Sequence, residues 1–106
     1  MDFFSFPLYF KFNWNSKNKK MIKISKINDE IFEVTVTKDS VTTHKVKLSK
    51  KVYEDLTDSK ITEIELIKKS FEFLLERESN QSILREFNLE IIENYFPEYS
   101  SVIKKY

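Results

Sequence analysis

The 106-residue sequence contains neither cysteine nor glycine, and each absence removes a class of functional site. Without cysteine, disulfides, thiolate catalysis and cysteine-ligated metal sites are excluded, and the composition fits a reducing, cytoplasmic environment. Without glycine, the Walker phosphate loop and the dinucleotide-binding turn are excluded, since both need backbone positions that lack a Cβ atom. Turns that need positive φ must use Asn or Asp instead. We therefore expect no thiol chemistry and no nucleotide cofactor.

Histidine is almost as scarce, because His44 is the single one in the sequence. A general base or metal ligand needs partners, and no second His or Cys is there to supply them. The strand phase places His44 on the inward face of a sheet, where we expect a structural role. Glu72 and Glu76 share a polar helix face, and so short a chain has little room for the cleft of a carboxylate-pair hydrolase. The sequence thus predicts no catalytic residue, no cofactor-binding residue and no metal ligand, and hence no enzyme.

Residues 1–20 differ from the rest of the chain. Seven of the twenty are aromatic, and four lysines against one aspartate give the segment a charge of +3, which leaves −2 for the remainder of a chain with net charge +1. Three interpretations stay open: a leader before a true start at Met21, a strand or arm that packs on the body, and an interfacial membrane anchor. The slightly acidic remainder does not favour binding to nucleic acid. We predict that this extension is not needed for folding.

From Met21 onward, apolar and polar residues alternate with period two, which is typical of strands. Short turns at 28–29 and 38–40 imply antiparallel hairpins. The pattern therefore predicts a three-stranded antiparallel meander over about residues 21–48. The predicted strands lie near 22–24, at 31–37 and at 41–48.

Helical periodicity follows the meander. Thr62 and Glu65 have the spacing of a capping box, and Ile61 opposite Leu66 suits a hydrophobic staple. Pro97 ends the last helix, because its ring cannot continue the helical bonding. The predicted helices are about 50–56, 63–78, 83–86 and 89–95. A sheet with one apolar face must be covered, so we predict an α+β fold with a single domain over 21–99 and a tail at 100–106.

The string Tyr95-Phe96-Pro97-Glu98-Tyr99 is the most distinctive in the chain. Aromatic side chains dominate both protein cores and protein interfaces. Phe96, together with Phe87 and Ile91, suits the core better than the surface. Tyr95, Phe96 and Tyr99 are nevertheless the candidate contacts with a protein partner.

A longer pattern contains this string: Ser70 to Glu78, Ser82-Ile83-Leu84, Phe87-Asn88-Leu89, Ile92 and Tyr95 to Tyr99, preceded by Thr43-His44-Lys45-Val46. With it, residues 21–99 resemble a group of short uncharacterised bacterial proteins. Members typically start near Met21, which supports treating residues 1–20 as an addition. The group has no established activity, so the resemblance implies no site residue.

A second likeness is to the ribbon-helix-helix antitoxins. Lys45 to Ser49, followed by a short helix and then Glu65-Leu66-Ile67, is similar to their strand-helix-helix unit. In that family the strand pairs across a dimer and its outward side chains enter the DNA major groove, which would be Thr43, Lys45 and Lys47 here. A second predicted strand ends only three residues upstream and would compete for this pairing.

These observations lead to two hypotheses about function. The first is a non-enzymatic, cytoplasmic protein that acts through contact with an unidentified protein partner, or with a second copy of itself as a homodimer. The alternative is a DNA-binding antitoxin or regulator of the ribbon-helix-helix type. Binding of the protein to nucleic acid is less favoured, and so is contact of residues 1–20 with a membrane.

Overall fold

A computed structural model of the chain describes residues 20–105. The predictions about residues 1–19, including their packing, membrane contact and dispensability for folding, lie outside the described residues. Within 20–105 the fold is α+β, as predicted, with one sheet covered on one face by helices. None of the helices in this range has the length and apolar character needed to cross a bilayer.

The predicted meander is confirmed. Its strands are β1 (Met21–Lys26), β2 (Ile31–Thr37) and β3 (Val41–Lys47), and both neighbouring pairs are antiparallel. Asn28 makes the first turn because its Oδ1 accepts from the backbone N–H groups of Glu30 and Ile31. Along β2 every second side chain is fully buried, as period-two alternation requires for a sheet covered on one face. These side chains are Phe32, Val34 and Val36.

Two helices follow the meander, and the second of them packs on the sheet. Helix α1 (Lys50–Thr57) is capped at its start by Ser49, whose Oγ accepts from the Val52 backbone N–H, and at its end by Asp58, which has left-handed backbone with φ of 53°. Aspartate tolerates this conformation better than most residues, so it takes the place of the missing glycine. Helix α2 (Glu63–Leu75) begins with the predicted capping box of Thr62 and Glu65.

Helix α2 is shorter than predicted, because it ends at Leu75 and not near residue 78. The backbone N–H groups of Arg77 and Glu78 both bond to the carbonyl of Leu74, which closes the helix in a tight turn. The next turn would contain only polar residues, so extending the helix would bury no further apolar side chain.

The helix predicted at 83–86 is wrong. A 3-10 turn, Asn80–Ser82, is followed by a short strand, β4 (Glu86–Asn88), which pairs in parallel with β3 and makes the sheet four-stranded. The Lys45 N–H bonds to the carbonyl of Arg85 at 2.7 Å and begins this pairing. The two adjacent apolar residues Ile83 and Leu84 are compatible locally with a helical turn or with an extended segment. Hydrogen bonds to the distant strand β3 determine which of the two forms.

The C-terminal segment contains a 3-10 turn (Leu89–Ile91), α3 (Ile92–Tyr95) and α4 (Tyr99–Ile103). The first two match the helix predicted at 89–95. Helix α4 packs on α2, and Ile103 is 2% exposed, so the folded body extends past the predicted boundary at residue 99. The core lies between the sheet, α2 and α4. Its fully buried members are Phe32, Val34, Val36, Val46, Leu48, Leu66, Ile67, Phe71, Leu89 and Tyr99.

Candidate functional site

Three buried polar side chains, Thr42, His44 and Asn80, form a hydrogen-bonded chain that we call the polar cluster. His44 Nδ1 lies 2.7 Å from the carbonyl oxygen of Leu84, which can only accept, so Nδ1 donates. His44 Nε2 then accepts from Thr42 Oγ1 at 2.8 Å, and Asn80 Nδ2 donates to Thr42 Oγ1 at 3.1 Å and to the Ser40 carbonyl at 3.0 Å. Both imidazole nitrogens and the Thr42 hydroxyl are therefore engaged within the fold.

His44 lies on the inward face of β3, as its strand phase predicts, and it is fully buried. Burial lowers the pKa of His44 below 6.5, because the charged form loses its hydration. Arg85 lowers the pKa further by charge repulsion, whereas the bond to Leu84 acts in the opposite direction. A neutral imidazole with both nitrogens engaged holds strand β3 to the 83–84 segment. Among residues 20–105, no group of three or more His, Cys, Asp or Glu side chains could hold a metal.

Tyr99 is not a surface residue, which corrects its assignment as a partner contact. The side chain is fully buried, and its ring packs edge-on against Phe73 with centroids 5.3 Å apart. Ser70 Oγ donates to the Leu66 carbonyl and therefore accepts from the Tyr99 hydroxyl at 2.6 Å. Burial raises the pKa of Tyr99. The residue joins α4 to α2 and is part of the core.

An apolar groove opens between the end of α2, the segment 82–84, β4 and α3. Its volume is about 170 Å³, and two polar residues, Glu78 and Ser82, also line it. The apolar lining residues are Leu74, Ile83, Leu84, Phe87, Ile91, Ile92, Tyr95 and Phe96. Two predicted partner contacts, Tyr95 and Phe96, therefore lie in one groove.

Leu84 and Tyr95 expose large apolar surface in this groove. The backbone of Ile83 is extended, and the two neighbouring side chains differ in exposure, since Ile83 is 4% exposed and Leu84 is 47% exposed. The bond from His44 to the Leu84 carbonyl fixes the backbone at this position. Tyr95 is the last residue of α3 and is 62% exposed, whereas Phe96 is half-buried.

Arg77 fixes the position of the groove's aromatic wall. Its guanidinium lies 3.6 Å from the centroid of the Phe73 ring and 6.0 Å from that of Phe96. The same group donates to the Phe73 carbonyl at 2.9 Å and to Glu98 at 3.2 Å. Arg77 thus links the end of α2 to the chain between α3 and α4.

The segment of the chain that forms most of the groove contains more acidic than basic residues. Residues 74–96 contain five glutamates and two arginines. Glu78 lines the groove itself, and within residues 20–105 it makes no salt bridge to a lysine or arginine. A carboxylate beside apolar surface favours a ligand that combines an apolar side chain with a positive charge.

The predicted DNA contacts, Thr43, Lys45 and Lys47, lie on the exposed outer face of β3. In the sheet, Lys45 is directly opposite Glu33 on β2 and Glu86 on β4. Lys47 lies 4.0 Å from a carboxylate oxygen of Glu30. Acidic neighbours therefore offset the charge of both lysines, which weakens this face as a phosphate-binding surface.

Strand β3 also has β2 on one side and β4 on the other. It cannot pair with a second copy in the way that the ribbon-helix-helix likeness implies, unless β4 leaves the sheet. The likeness therefore does not extend to the strand arrangement.

Comparison of the chain with models of known protein families, with curated proteins and with solved structures finds no match. The resemblance to short bacterial proteins stays a prediction. The assignment of the groove as the candidate site is therefore based on its geometry alone.

Of the residues that line the groove, only Tyr95 and Phe96 were predicted as contacts; Glu78 and Leu84 were not, and neither was Arg77 beside the groove. The one available signal was the pair Ile83-Leu84, since two adjacent apolar residues in an extended segment cannot both face the same core. Glu78 and Arg77 carried no comparable signal, because their positions depend on where α2 ends.

Proposed function

We propose that this protein is a non-enzymatic, cytoplasmic protein that binds another protein through the apolar groove. The observation that supports this most directly is the exposure of Leu84 and Tyr95 beside a groove of about 170 Å³. Exposed apolar side chains are ordinary when scattered, but side chains that share one concave surface are typical of interaction sites.

The groove suits a short segment and not a large flat interface. Its volume accommodates about one aromatic or branched side chain, since a cavity of roughly 150 Å³ holds a benzene ring. Glu78 offers a charge for a neighbouring lysine or arginine of the partner. An apolar anchor next to a basic residue is therefore the partner chemistry that fits.

The groove's walls are held in place from behind. His44 bonds to the Leu84 carbonyl, and Arg77 stacks on Phe73 and bonds to Glu98. A preformed site loses less conformational entropy on binding than one that must be ordered by its ligand. This rigidity supports recognition by the groove.

The test is affinity capture from a lysate of the native host with three full-length baits. The baits are the wild type, Leu84→Glu in the groove, and Ile27→Glu as a matched control. Ile27 is an exposed isoleucine, 56% exposed, in the turn between β1 and β2. We expect a protein whose recovery falls at least about tenfold with Leu84→Glu, equivalent to 1.4 kcal/mol or more, and is unchanged with Ile27→Glu.

Equal recovery with all three baits would show that the groove is not the contact surface. Sizing chromatography of the same proteins tests whether a second copy of the chain occupies the groove. Dimerisation through the groove predicts a dimer for the wild type and a monomer for Leu84→Glu.

A further inference from the structure

The chain itself contains a segment with the chemistry that the groove favours. Residues 1–20 hold seven aromatic side chains between Phe3 and Trp14, with lysines at 11, 17, 19 and 20. The groove presents apolar surface and the carboxylate of Glu78, amid an excess of glutamates. The lysines of the segment match the carboxylate of Glu78, and its aromatic side chains match the apolar lining of the groove. The two surfaces are therefore complementary in charge and in polarity.

We propose that the aromatic run between Phe3 and Trp14 binds in the groove of its own chain and competes there with a protein partner. The inference rests on the proposed function, because it names an internal ligand for the same site. Seven aromatic side chains exposed together would favour aggregation, and an apolar groove on the same chain can cover part of them.

The chain can reach the groove. Met21 is opposite Thr37 in the sheet, and Thr37 is opposite Val41, so the start of β1 lies at the same end as the start of β3. The 3-10 turn beside the groove contacts this end, since Asn80 and Gln81 both bond to Ser40.

Strand spacing gives the distance to be covered. Neighbouring strands lie about 4.8 Å apart, so β4 is roughly 15 Å from β1 across the sheet, and because it pairs with Lys45–Lys47 it also lies about 13–20 Å along the strands from Met21. The two are therefore roughly 20–25 Å apart. An extended chain spans at most about 3.3–3.6 Å per residue, so the ten residues between Phe10 and Met21 reach over about 30 Å. The connecting chain is therefore long enough for the middle of the aromatic run to enter the groove.

The test uses the absence of cysteine. In the full-length Ser5→Cys variant, the introduced thiol is the single site for a nitroxide spin label. We expect selective loss of the amide NMR signals of Leu84 and Tyr95 compared with that of Thr43 on the outer face of the sheet. Adding Leu84→Glu to this chain should remove the selectivity, and adding Ile27→Glu should leave it intact.

Uniform or absent signal loss in the labelled chain would overturn the proposal, as would selectivity that survives Leu84→Glu. Tyr95→Ser provides the same test if Leu84→Glu disturbs folding in circular dichroism. A mixture of spin-labelled chains with isotope-labelled chains that lack the spin label distinguishes binding within one chain from binding between two chains. Selective loss in that mixture would place the segment in the groove of a second copy and contradict binding within one chain.

The partner-capture experiment separates this inference from the function on which it rests. If the segment competes, replacing Phe10, Phe12 and Trp14 together by Ser in the full chain should increase partner recovery several-fold. Unchanged recovery, with Leu84→Glu still abolishing capture, would reject the internal ligand and keep the groove as a partner site. If both the selective signal loss and the partner capture survived Leu84→Glu, the internal ligand and the groove as a partner site would both be rejected.

Discussion

The polar cluster and the apolar groove lie on the two sides of the segment that contains Leu84, and they invert the usual distribution of side chains. On the inner side, Thr42, His44 and Asn80 are buried and bonded to one another. On the outer side, Leu84 and Tyr95 are exposed. Polar side chains normally mark the site and apolar ones the core, whereas here the satisfied polar groups are structural and the exposed apolar groups are the candidate site.

One bond joins the two regions, since His44 Nδ1 donates to the carbonyl of Leu84. The polar cluster thereby sets the orientation of an exposed side chain in the groove. The comparison predicts that substitutions on the inner side reduce stability, whereas substitutions on the outer side reduce binding and leave stability nearly unchanged.

The largest loss of stability is expected for Phe71→Ala. The Phe71 ring is fully buried, 5.4 Å from the ring of His44 and 6.1 Å from that of Phe87, so it contacts both regions. Truncation should lower the free energy of unfolding by about 3–5 kcal/mol, measured by urea denaturation. A loss below about 1 kcal/mol would show that this ring is not in the core, and the boundary between the two regions would be misplaced.

His44→Ala should follow, with a loss of roughly 2–4 kcal/mol. The substitution leaves the Thr42 hydroxyl proton without its acceptor and the Leu84 carbonyl without its donor, and it opens a cavity. Calorimetric titration with zinc should show no tight binding to either the wild type or the variant. Tight binding that His44→Ala abolishes would make His44 a ligand and reverse its assignment to the structural side.

A matched pair of tyrosines sharpens the comparison further. Tyr99→Phe removes a buried hydroxyl that donates to Ser70 and should cost about 1 kcal/mol. Tyr95→Phe removes a hydroxyl from a ring that is 62% exposed and should change stability by less than about 0.5 kcal/mol. Equal losses in thermal unfolding would contradict the division of the aromatic string into one core residue and one groove residue.

The smallest effect concerns pH. The pKa of His44 is lower in the folded state than its ordinary value of 6.5, so below about pH 6.5 the unfolded chain binds the proton first. The free energy of unfolding should therefore decrease as pH falls from about 6.5 and should be unaffected by this group above it. His44→Gln keeps a polar side chain that cannot be charged, and it should remove this part of the pH dependence. Identical pH profiles for the two proteins would mean that His44 is not titrating from a buried, neutral state.

Local sequence signals were sufficient for most of the fold. Period-two alternation located β1, β2 and β3, and the capping box located the start of α2, because both depend on residues within a few positions of one another. Strand β4 was missed because it is three residues long and is specified by bonds to β3, about forty residues away in sequence. Such bonds are decided by tertiary structure and not by propensity.

The groove was predictable only in part. Tyr95 and Phe96 could be proposed as contacts, yet Tyr99 looked equivalent because all three belong to one aromatic string. Pro97 separates α3 from α4, so no single helical phase relates Tyr95 to Tyr99. Their opposite exposures follow from the packing of α4 on α2, which no local pattern encodes.

The most direct test of the central claim measures stability and binding on the same variant, Leu84→Ser. We predict a free energy of unfolding within about 0.5 kcal/mol of the wild type, because the side chain is half exposed, together with at least about a tenfold loss of partner recovery. A loss of stability above about 2 kcal/mol with recovery in proportion to the folded fraction would contradict it. In that case Leu84 would belong to the core, and the groove would not be a binding site.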